Sequence, residues 1–389
     1  MNTEQPVNFD PGLVKTPAFV VDEGLLERNL EILADIKRRT GCRILLALKC
    51  FAMHSVFPQL HRVLDGTCAS SPHEARLGRE EFGGEVHTFA AAYSEDDVRD
   101  LAATTDHLVF NSFRQFDRFR APAQAQAESL GRRLRFGLRI NPEHSEGAVA
   151  IYDPCAPGSR LGIRRRDFRE EDLELISGLH WHNLCEQNAD CLERTIGAVE
   201  HSFGPFLARM DYINFGGGHH ITRADYDREL LVRLVNDFQQ RWGVQVYLEP
   251  GEAVALNCGF LVTTVLDIVQ ADGDIAIIDA SVPAHMPDVL EMPYRPHIIG
   301  SGHPGEKRYS CRIGGLSCLA GDVAGAYSFD RPLQIGQRLL FTDMAIYTMV
   351  KTTTFNGVQL PAIIRCGAGN GKLRVVRTFA YEDFKTRLS

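Results

Sequence analysis

The stretch Arg43 to Phe51, RILLALKCF, constrains the fold more than any other part of the chain. Ile44, Leu45, Leu46, Ala47 and Leu48 run apolar without alternation. A strand reads this way when both of its faces are covered, and such strands belong to parallel sheets flanked by helices. Lys49 stands where the strand should end. In a barrel of parallel strands the chemistry gathers at the carboxyl ends, so an amine there is aimed at a site. A partly desolvated lysine loses its proton more readily and can condense with a carbonyl. Taken alone, the stretch also fits a lysine that snorkels from a strand end into water.

The flanking sequence supplies the helices that such a sheet needs. Thr16 to Val21 reads as a strand, Asp22 as a cap, and Glu23 to Thr40 as a helix with apolar residues at helical spacing, ended by Gly41. Further strands are expected at Thr67–Ser70, Glu85–Ala90, His107–Phe110, Leu134–Ile140, Glu174–Leu179, Tyr212–Phe215 and Val244–Leu248, with helices between them, the last over Arg223–Arg241. Strand and helix alternating about eight times is the pattern of a (β/α)8 barrel of the TIM type, and a doubly wound sheet is its competitor. After Gly251 strand-like segments at Cys258–Val269, Ile275–Asp279, Tyr309–Ile313 and Gln337–Phe341 predict a mostly β C-terminal domain that takes in the N-terminal strand. The expected division is 23–255 for the barrel and 256–389 with 1–22 for the β-rich domain, residues 1–15 lying loosely on the surface.

Charge and cysteine usage narrow the partners. With 42 basic against 50 acidic residues and no basic run, neither nucleic acid nor an anionic membrane is indicated. The ten cysteines form no CxxC pair, which suits a reducing compartment. No leader or membrane-spanning run is read, so a cytoplasmic setting is expected.

Four more stretches fall at strand ends or in the β domain. GLHWHN, 178–183, carries two histidines, of which one is expected to point into the barrel mouth; stacking on a ring, metal ligation and core packing are its three readings. NFGGGHH, 214–220, has three glycines whose backbone can approach an oxyanion closely, although a triple glycine also reads as a flexible loop. No GxGxxG or GKS pattern makes it a nucleotide loop. YLEPG, 247–251, sets Glu249 at the end of the last barrel strand, where a carboxylate facing a pyridine nitrogen keeps it protonated. GGLSCLAGD, 314–322, places Cys318 among small residues with Asp322 beyond it, a proton donor or a buried structural thiol. DMAIYT, 343–348, adds Tyr347.

In this order, TPAFVVD, LALKC, GLHWHN, FGGG, YLEPG, GLSCLAGD and DMAIYTMVKTTTFNG, the chain resembles the fold type III pyridoxal-phosphate decarboxylases, the group that acts on ornithine, diaminopimelate and arginine. Within the group it is most similar to the carboxynorspermidine decarboxylases, because it reads LALKCF, HWHNLCE and EPGEA where the group usually has YAVKAN, CHIGS and EPGRS. The resemblance implies pyridoxal 5'-phosphate held by Lys49, with His182 stacked on its ring, Gly216, Gly217 and Gly218 at the phosphate, Glu249 at the pyridine nitrogen and Tyr347 near the phosphate. It also implies a homodimer in which Cys318 enters the partner's site as the proton donor. No metal is implied. Two departures stand out: Glu252 where the group commonly has arginine, and Leu319 where it has an acid that holds a distal amine.

The expected reaction is decarboxylation of carboxynorspermidine and carboxyspermidine to norspermidine and spermidine. Such a carboxylated triamine carries two cations beyond its reacting centre, which call for carboxylates in the pocket wall. Asp279, Asp288 and Glu291 lie in the stretch expected to form that wall, and Asp322 and Glu252 are further candidates. A racemase is disfavoured by Glu249, and a diaminopimelate decarboxylase by the sign of Glu252. A non-catalytic relative would be expected to lack the second domain, the lysine or the cysteine.

Overall fold

The computed structural model describes residues 7–147, 152–171 and 173–389, so parts of the expected N-terminal lead and of the irregular stretch after Ile140 lie outside the described residues. Two compact units are present, one spanning 29–254 and the other joining the chain up to Arg28 with 255–389.

The first strand, β1 (Ala18–Asp22), belongs to the second unit. Asp22 then caps the helix Glu23–Thr40, its Oδ1 accepting from the N–H groups of Gly24 at 2.8 Å and Leu25 at 3.1 Å. The next eight strands are β2 (Arg43–Ala47), β3 (Gly66–Ala69), β4 (Glu85–Phe89), β5 (His107–Phe110), β6 (Arg135–Arg139), β7 (Gly178–His180), β8 (Tyr212–Asn214) and β9 (Gln245–Leu248). They pair in parallel in chain order, and β9 returns to β2 with Arg43 opposite Tyr247 and Ile44 opposite Leu248. That last pairing closes the barrel and excludes a doubly wound sheet. The apolar run of β2 is buried from Ile44 to Leu48, as a strand between barrel interior and helix layer must be. Ser71, Ser94, Ser112, Asn188 and Asp227 cap the helices that follow β3, β4, β5, β7 and β8.

Two expected boundaries in this unit move. β7 starts at Gly178, and Leu173–Leu175 forms a 3-10 turn instead of the strand expected from Glu174. The helix expected from Arg223 starts at Arg228, because Asp227 accepts from the Leu230 N–H at 2.9 Å and sets the cap there.

The second unit adds β10 (Gly259–Ala271), β11 (Gly273–Ile278), β12 (Tyr309–Gly314), β13 (Val323–Phe329), β14 (Arg338–Thr342), β15 (Ala362–Cys366) and β16 (Leu373–Arg377). Their order is β13-β12-β11-β10-β1-β15-β16, with β14 on β10. β1 therefore lies inside this sheet, antiparallel to β10 and parallel to β15. Phe9 and Val14 are buried with Ala18, Val20, Phe260, Val262 and Ile364, which corrects the expectation of a loose surface lead for these described residues of 1–15. The apolar face of β1 recruits them. β13, β15 and β16 were not expected. β13 carries Gly325 at a φ of 140°, and β16, LRVVR, is exposed over most of its length, so neither alternates clearly. Among the described residues no helix is long and apolar enough to cross a membrane.

Candidate active site

Lys49 occupies the turn two residues beyond the end of β2. The Leu48 N–H donates to the Cys68 carbonyl at 3.1 Å and the Ala47 N–H to the Pro250 carbonyl at 3.2 Å, which ties this turn to the ends of β3 and β9. A Cβ on Gly251 would come within 2.5 Å of Cys50 Cβ, so the glycine of EPG lets the two chain segments touch. The positive charge of Lys49 acts on Glu74 and on His182. Burial raises the Glu74 carboxyl while Ser70 N–H and Lys49 oppose it.

His180 and His182 both serve the mouth, which corrects the expectation that only one could. Residues i and i+2 of an extended chain project to the same face, and it is Trp181 between them that turns away. Trp181 is fully buried and stacks on Phe215 at 4.7 Å between ring centroids. His180 Nε2 lies 3.3 Å from Glu249 Oε2. His182 Nδ1 accepts from the Gly217 N–H at 2.7 Å, which leaves Nε2 as the protonated nitrogen. Burial, then Lys49 and Arg139, hold the His182 ring well below the ordinary histidine range, so it is neutral near pH 7.

The glycine loop is a fixed structure. A Cβ on Gly216 would meet the Trp181 carbonyl at 2.3 Å, one on Gly217 the Glu249 carbonyl at 2.4 Å, and one on Gly218 the Leu184 carbonyl at 2.0 Å. Gly216 and Gly218 also have φ of 71° and 83°. Asn214 anchors the loop from within β8: its Oδ1 accepts from the Gly216 N–H at 2.9 Å and its Nδ2 donates to Glu249 Oε1 at 2.7 Å. Burial pushes the Glu249 carboxyl up, but His180, His87 and Asn214 together bring it down to about 2. A buried carboxylate that stays ionised therefore faces the mouth.

Glu252 is paired, with His220 Nε2 at 2.7 Å from its Oε2, and Arg223 Nη1 lies 3.4 Å from His220 Nδ1. The second histidine of GGGHH thus answers the acid that replaces the usual arginine, and Glu252 is not a free carboxylate awaiting a substrate amine. Arg139, at the end of β6, is a site residue that the sequence did not reveal. It is 5% exposed, donates to the His182 carbonyl at 2.8 Å and lies 4.5 Å from the Phe89 ring centroid. Burial lowers its guanidinium to about 10. Nothing but its place at a strand end could have marked it. At the amino-terminal end of the barrel a second polar cluster joins Glu85, His87 and His107. The two rings stack at 3.9 Å and 11°, so their in-plane lone pairs do not converge on one point, and Glu85 is held by Arg43 and by the Tyr247 hydroxyl at 2.8 Å.

The sheet unit carries the remaining candidates. Cys318 is exposed on the loop after β12, where Asn356 Nδ2 donates to its Sγ at 3.0 Å, which excludes the buried structural thiol. Asp322 is 4% exposed and accepts from the N–H groups of Val282 at 2.7 Å and Ser317 at 3.1 Å. It fastens that loop, so the reading of Asp322 as a partner for a distal amine is corrected. Asp279 is likewise occupied: Thr16 Oγ1 donates to it at 2.5 Å and the Thr264 N–H at 2.8 Å. Tyr347 has a φ of 52° in the turn after β14, with Lys351 Nζ 5.7 Å from its ring centroid.

The family model described as pyridoxal-dependent decarboxylase, C-terminal sheet domain, of the ornithine, diaminopimelate and arginine type, matches residues 18–345. A carboxynorspermidine/carboxyspermidine decarboxylase of Campylobacter jejuni is 40% identical over 96% of this chain and 98% of its own length. A carboxyaminopropylagmatine decarboxylase of Synechocystis is 44% identical over 96% of this chain and 95% of its own length. The crystal structure of the carboxynorspermidine decarboxylase of Campylobacter jejuni, complexed with norspermidine, superposes with a TM-score of 0.89 at 39% identity, covering 96% of this chain and all of that one, 100%. With a closed barrel, a lysine beyond β2, a glycine loop and an ionised glutamate at one mouth, and a β-rich second unit, the chain belongs to the pyridoxal-dependent decarboxylases of the ornithine, diaminopimelate and arginine family.

Proposed function

We propose that this protein decarboxylates carboxynorspermidine and carboxyspermidine with pyridoxal 5'-phosphate, giving norspermidine and spermidine. The observation that carries the chemistry is the place of Glu249, a buried carboxylate at the end of β9, fastened to the glycine loop through Asn214 and 3.3 Å from His180. The residues fit the cofactor. Three glycines whose Cβ positions all meet the protein's own carbonyls fix the course of the loop beside Glu249, and a loop of bare backbone suits the close approach of a phosphate.

When bound, the cofactor supplies an electron sink for the pair left behind by departing carbon dioxide. Lys49 would hold it through Nζ, and the loop Gly216–Gly218 would lie at its phosphate with the Gly216 and Gly217 N–H groups already given to Asn214 Oδ1 and His182 Nδ1; the resemblance adds the Tyr347 hydroxyl as a further phosphate contact. Glu249 keeps the proton on the pyridine nitrogen, because its own proton affinity is too low to take it. The neutral His182 ring offers a flat face and adds no charge that would oppose that proton. Cys318 returns the proton to Cα. It does so from a partner subunit in a C2 homodimer, a role suited to an exposed thiol beside the exposed Leu316, Leu319 and Phe355. A cytoplasmic setting agrees with ten free cysteines.

A second substrate, carboxyaminopropylagmatine, is favoured by the 44% identity to the Synechocystis enzyme. It ends in a guanidinium in place of an ammonium. The test is carbon dioxide release by the cofactor-loaded protein from carboxynorspermidine, carboxyspermidine, carboxyaminopropylagmatine, meso-diaminopimelate, ornithine and arginine. Preference for the first two supports the proposal, preference for the third replaces the substrate, and silence on all six removes the catalytic reading.

A further inference from the structure

The barrel has a second opening at the amino-terminal ends of its strands, the end opposite to Lys49 and Glu249. A cavity of about 450 Å3 lies there, within the range of about 300–1,000 Å3 usual for small-molecule sites. Its rim is exposed at Gly84, Arg133 and Asp211, and its floor is buried at His107, Tyr212 and Tyr247. The two acids set into its wall are already occupied. Glu85 accepts from Arg43 and from the Tyr247 hydroxyl at 2.8 Å, and lies 3.2 Å from His87 Nε2. Asp106 accepts from Arg79, from Arg132 at 3.0 Å and from the Val86 N–H at 2.8 Å. The third acid, Asp211, stands on the exposed rim, where water screens it. The cations are in surplus: among the described residues no carboxylate pairs with Arg133 or Arg135. Arg135 is half-buried, and its charge acts on His107, Tyr212 and Tyr247, which sets the guanidinium over the floor.

The floor adds polar groups that lack partners. Tyr212 is 1% exposed, and its hydroxyl is buried without a hydrogen bond. A Cβ on Gly137 would meet that hydroxyl at 2.6 Å and one on Gly178 the phenol ring at 2.3 Å, so two glycines on β6 and β7 make the room for this side chain inside the barrel. Burial pushes the phenol above its ordinary range, so it stays a donor, and a buried donor is unfavourable until an acceptor arrives. His107 lies 4.8 Å from Tyr212 between ring centroids, and its Nδ1 is also buried and unpartnered. We propose that this cavity binds a phosphoryl group, free or on a small ester, with Arg135 and Arg133 supplying the charge and the Tyr212 hydroxyl donating to one of its oxygens. A carboxylate is used up by one forked guanidinium, whereas a phosphate keeps further acceptor oxygens for a hydroxyl on another strand. The site shares no residue with the mouth that holds Lys49, the glycine loop and Glu249.

The test uses the full chain loaded with pyridoxal 5'-phosphate and freed of excess cofactor, so that the glycine loop at the other end is occupied. Inorganic phosphate and glycerol 3-phosphate are titrated by calorimetry and by thermal midpoint, against sodium chloride at matched ionic strength, into wild type, Arg135→Gln and Tyr212→Phe. The expected result is saturable binding to the wild type, with a midpoint that climbs with ligand concentration. Kd should rise at least about tenfold in Arg135→Gln and about three- to tenfold in Tyr212→Phe. Visible cofactor absorbance reports folding. Tyr212→Phe removes one oxygen and keeps the ring that fills the barrel, so it decides the matter if the arginine variant does not fold. Tighter binding of the ester assigns the site to a small phosphate ester, equal affinity assigns it to the phosphate group alone, and either supports the proposal. No saturable binding by the wild type, an equal midpoint rise with chloride, or wild-type affinity in the folded variant overturns it.

Discussion

Asn214 joins two parts of the site with one side chain, donating to Glu249 Oε1 at 2.7 Å while accepting from the Gly216 N–H at 2.9 Å. The carboxylate and the glycine loop are therefore positioned together. Asn214→Asp keeps the acceptor for Gly216 and replaces the donor by a like charge. Two carboxylates at that distance cannot both ionise, so the pair takes up a proton and Glu249 is no longer a fixed, fully ionised carboxylate fastened by an amide donor. The expected outcome is a fall in kcat of at least about a hundredfold, with weaker cofactor retention, read by steady-state kinetics and visible absorbance. An unaltered kcat removes Glu249 from the chemistry.

Gly217→Ala drives a Cβ to 2.4 Å from the Glu249 carbonyl, a backbone atom that cannot rotate aside. Overpacking of this kind costs about 1–3 kcal/mol, and the shift falls on the loop and the glutamate at once. Cofactor affinity is expected to fall more than thermal stability does. Equal cofactor titration curves for the two proteins would contradict the cradle.

Lys49 is the only group assigned to hold the cofactor covalently. Borohydride treatment followed by denaturation should leave cofactor absorbance on the wild type and none on Lys49→Ala. Retention by the variant would move the attachment to another lysine.

Cys318→Ala is expected to lower kcat by about a hundredfold, a usual scale for removing one proton donor, with little change in thermal midpoint because the thiol is exposed. If turnover is unchanged, the proton comes from elsewhere. Restoration of activity on mixing Cys318→Ala with Lys49→Ala subunits would show that the thiol and the lysine act from different chains.

Stability should fall on mild acidification. Burial lowers His219 to about 4 and His285 to about 4, below the ordinary 6.5. Between those values the unfolded chain binds protons that the folded one refuses, so stability is full above pH 6.5 and is lost as pH falls toward 4, by about 3 kcal/mol per group at the lower end. Thermal midpoints between pH 7.5 and 4.5 check this, and His219→Phe should flatten the slope. A midpoint independent of pH over that range would show that these rings protonate freely in the folded state.

Much of the fold was legible locally. The unbroken apolar run of β2 and the caps at Asp22 and Ser94 are each statements about a few adjacent residues, and each holds in the structure. β13 escaped because Gly325 blurs its alternation and β16 because most of it is exposed.

The site divided differently. The sequence by itself determined which chemical groups stand at the strand ends, since Lys49, His182, the glycines and Glu249 each follow a strand within four residues. It could not determine which acids are free. Asp279 accepts from Thr16, 263 positions away, one oxygen of Asp288 from Thr348, 60 positions away, and Glu252 pairs with His220, 32 positions away. Arg139 is a site residue only because β6 and β7 are neighbours in the closed barrel. A side chain's chemistry is local, but its hydrogen-bond partners and its exclusion from water come from segments distant in the chain, and only the tertiary structure brings those together.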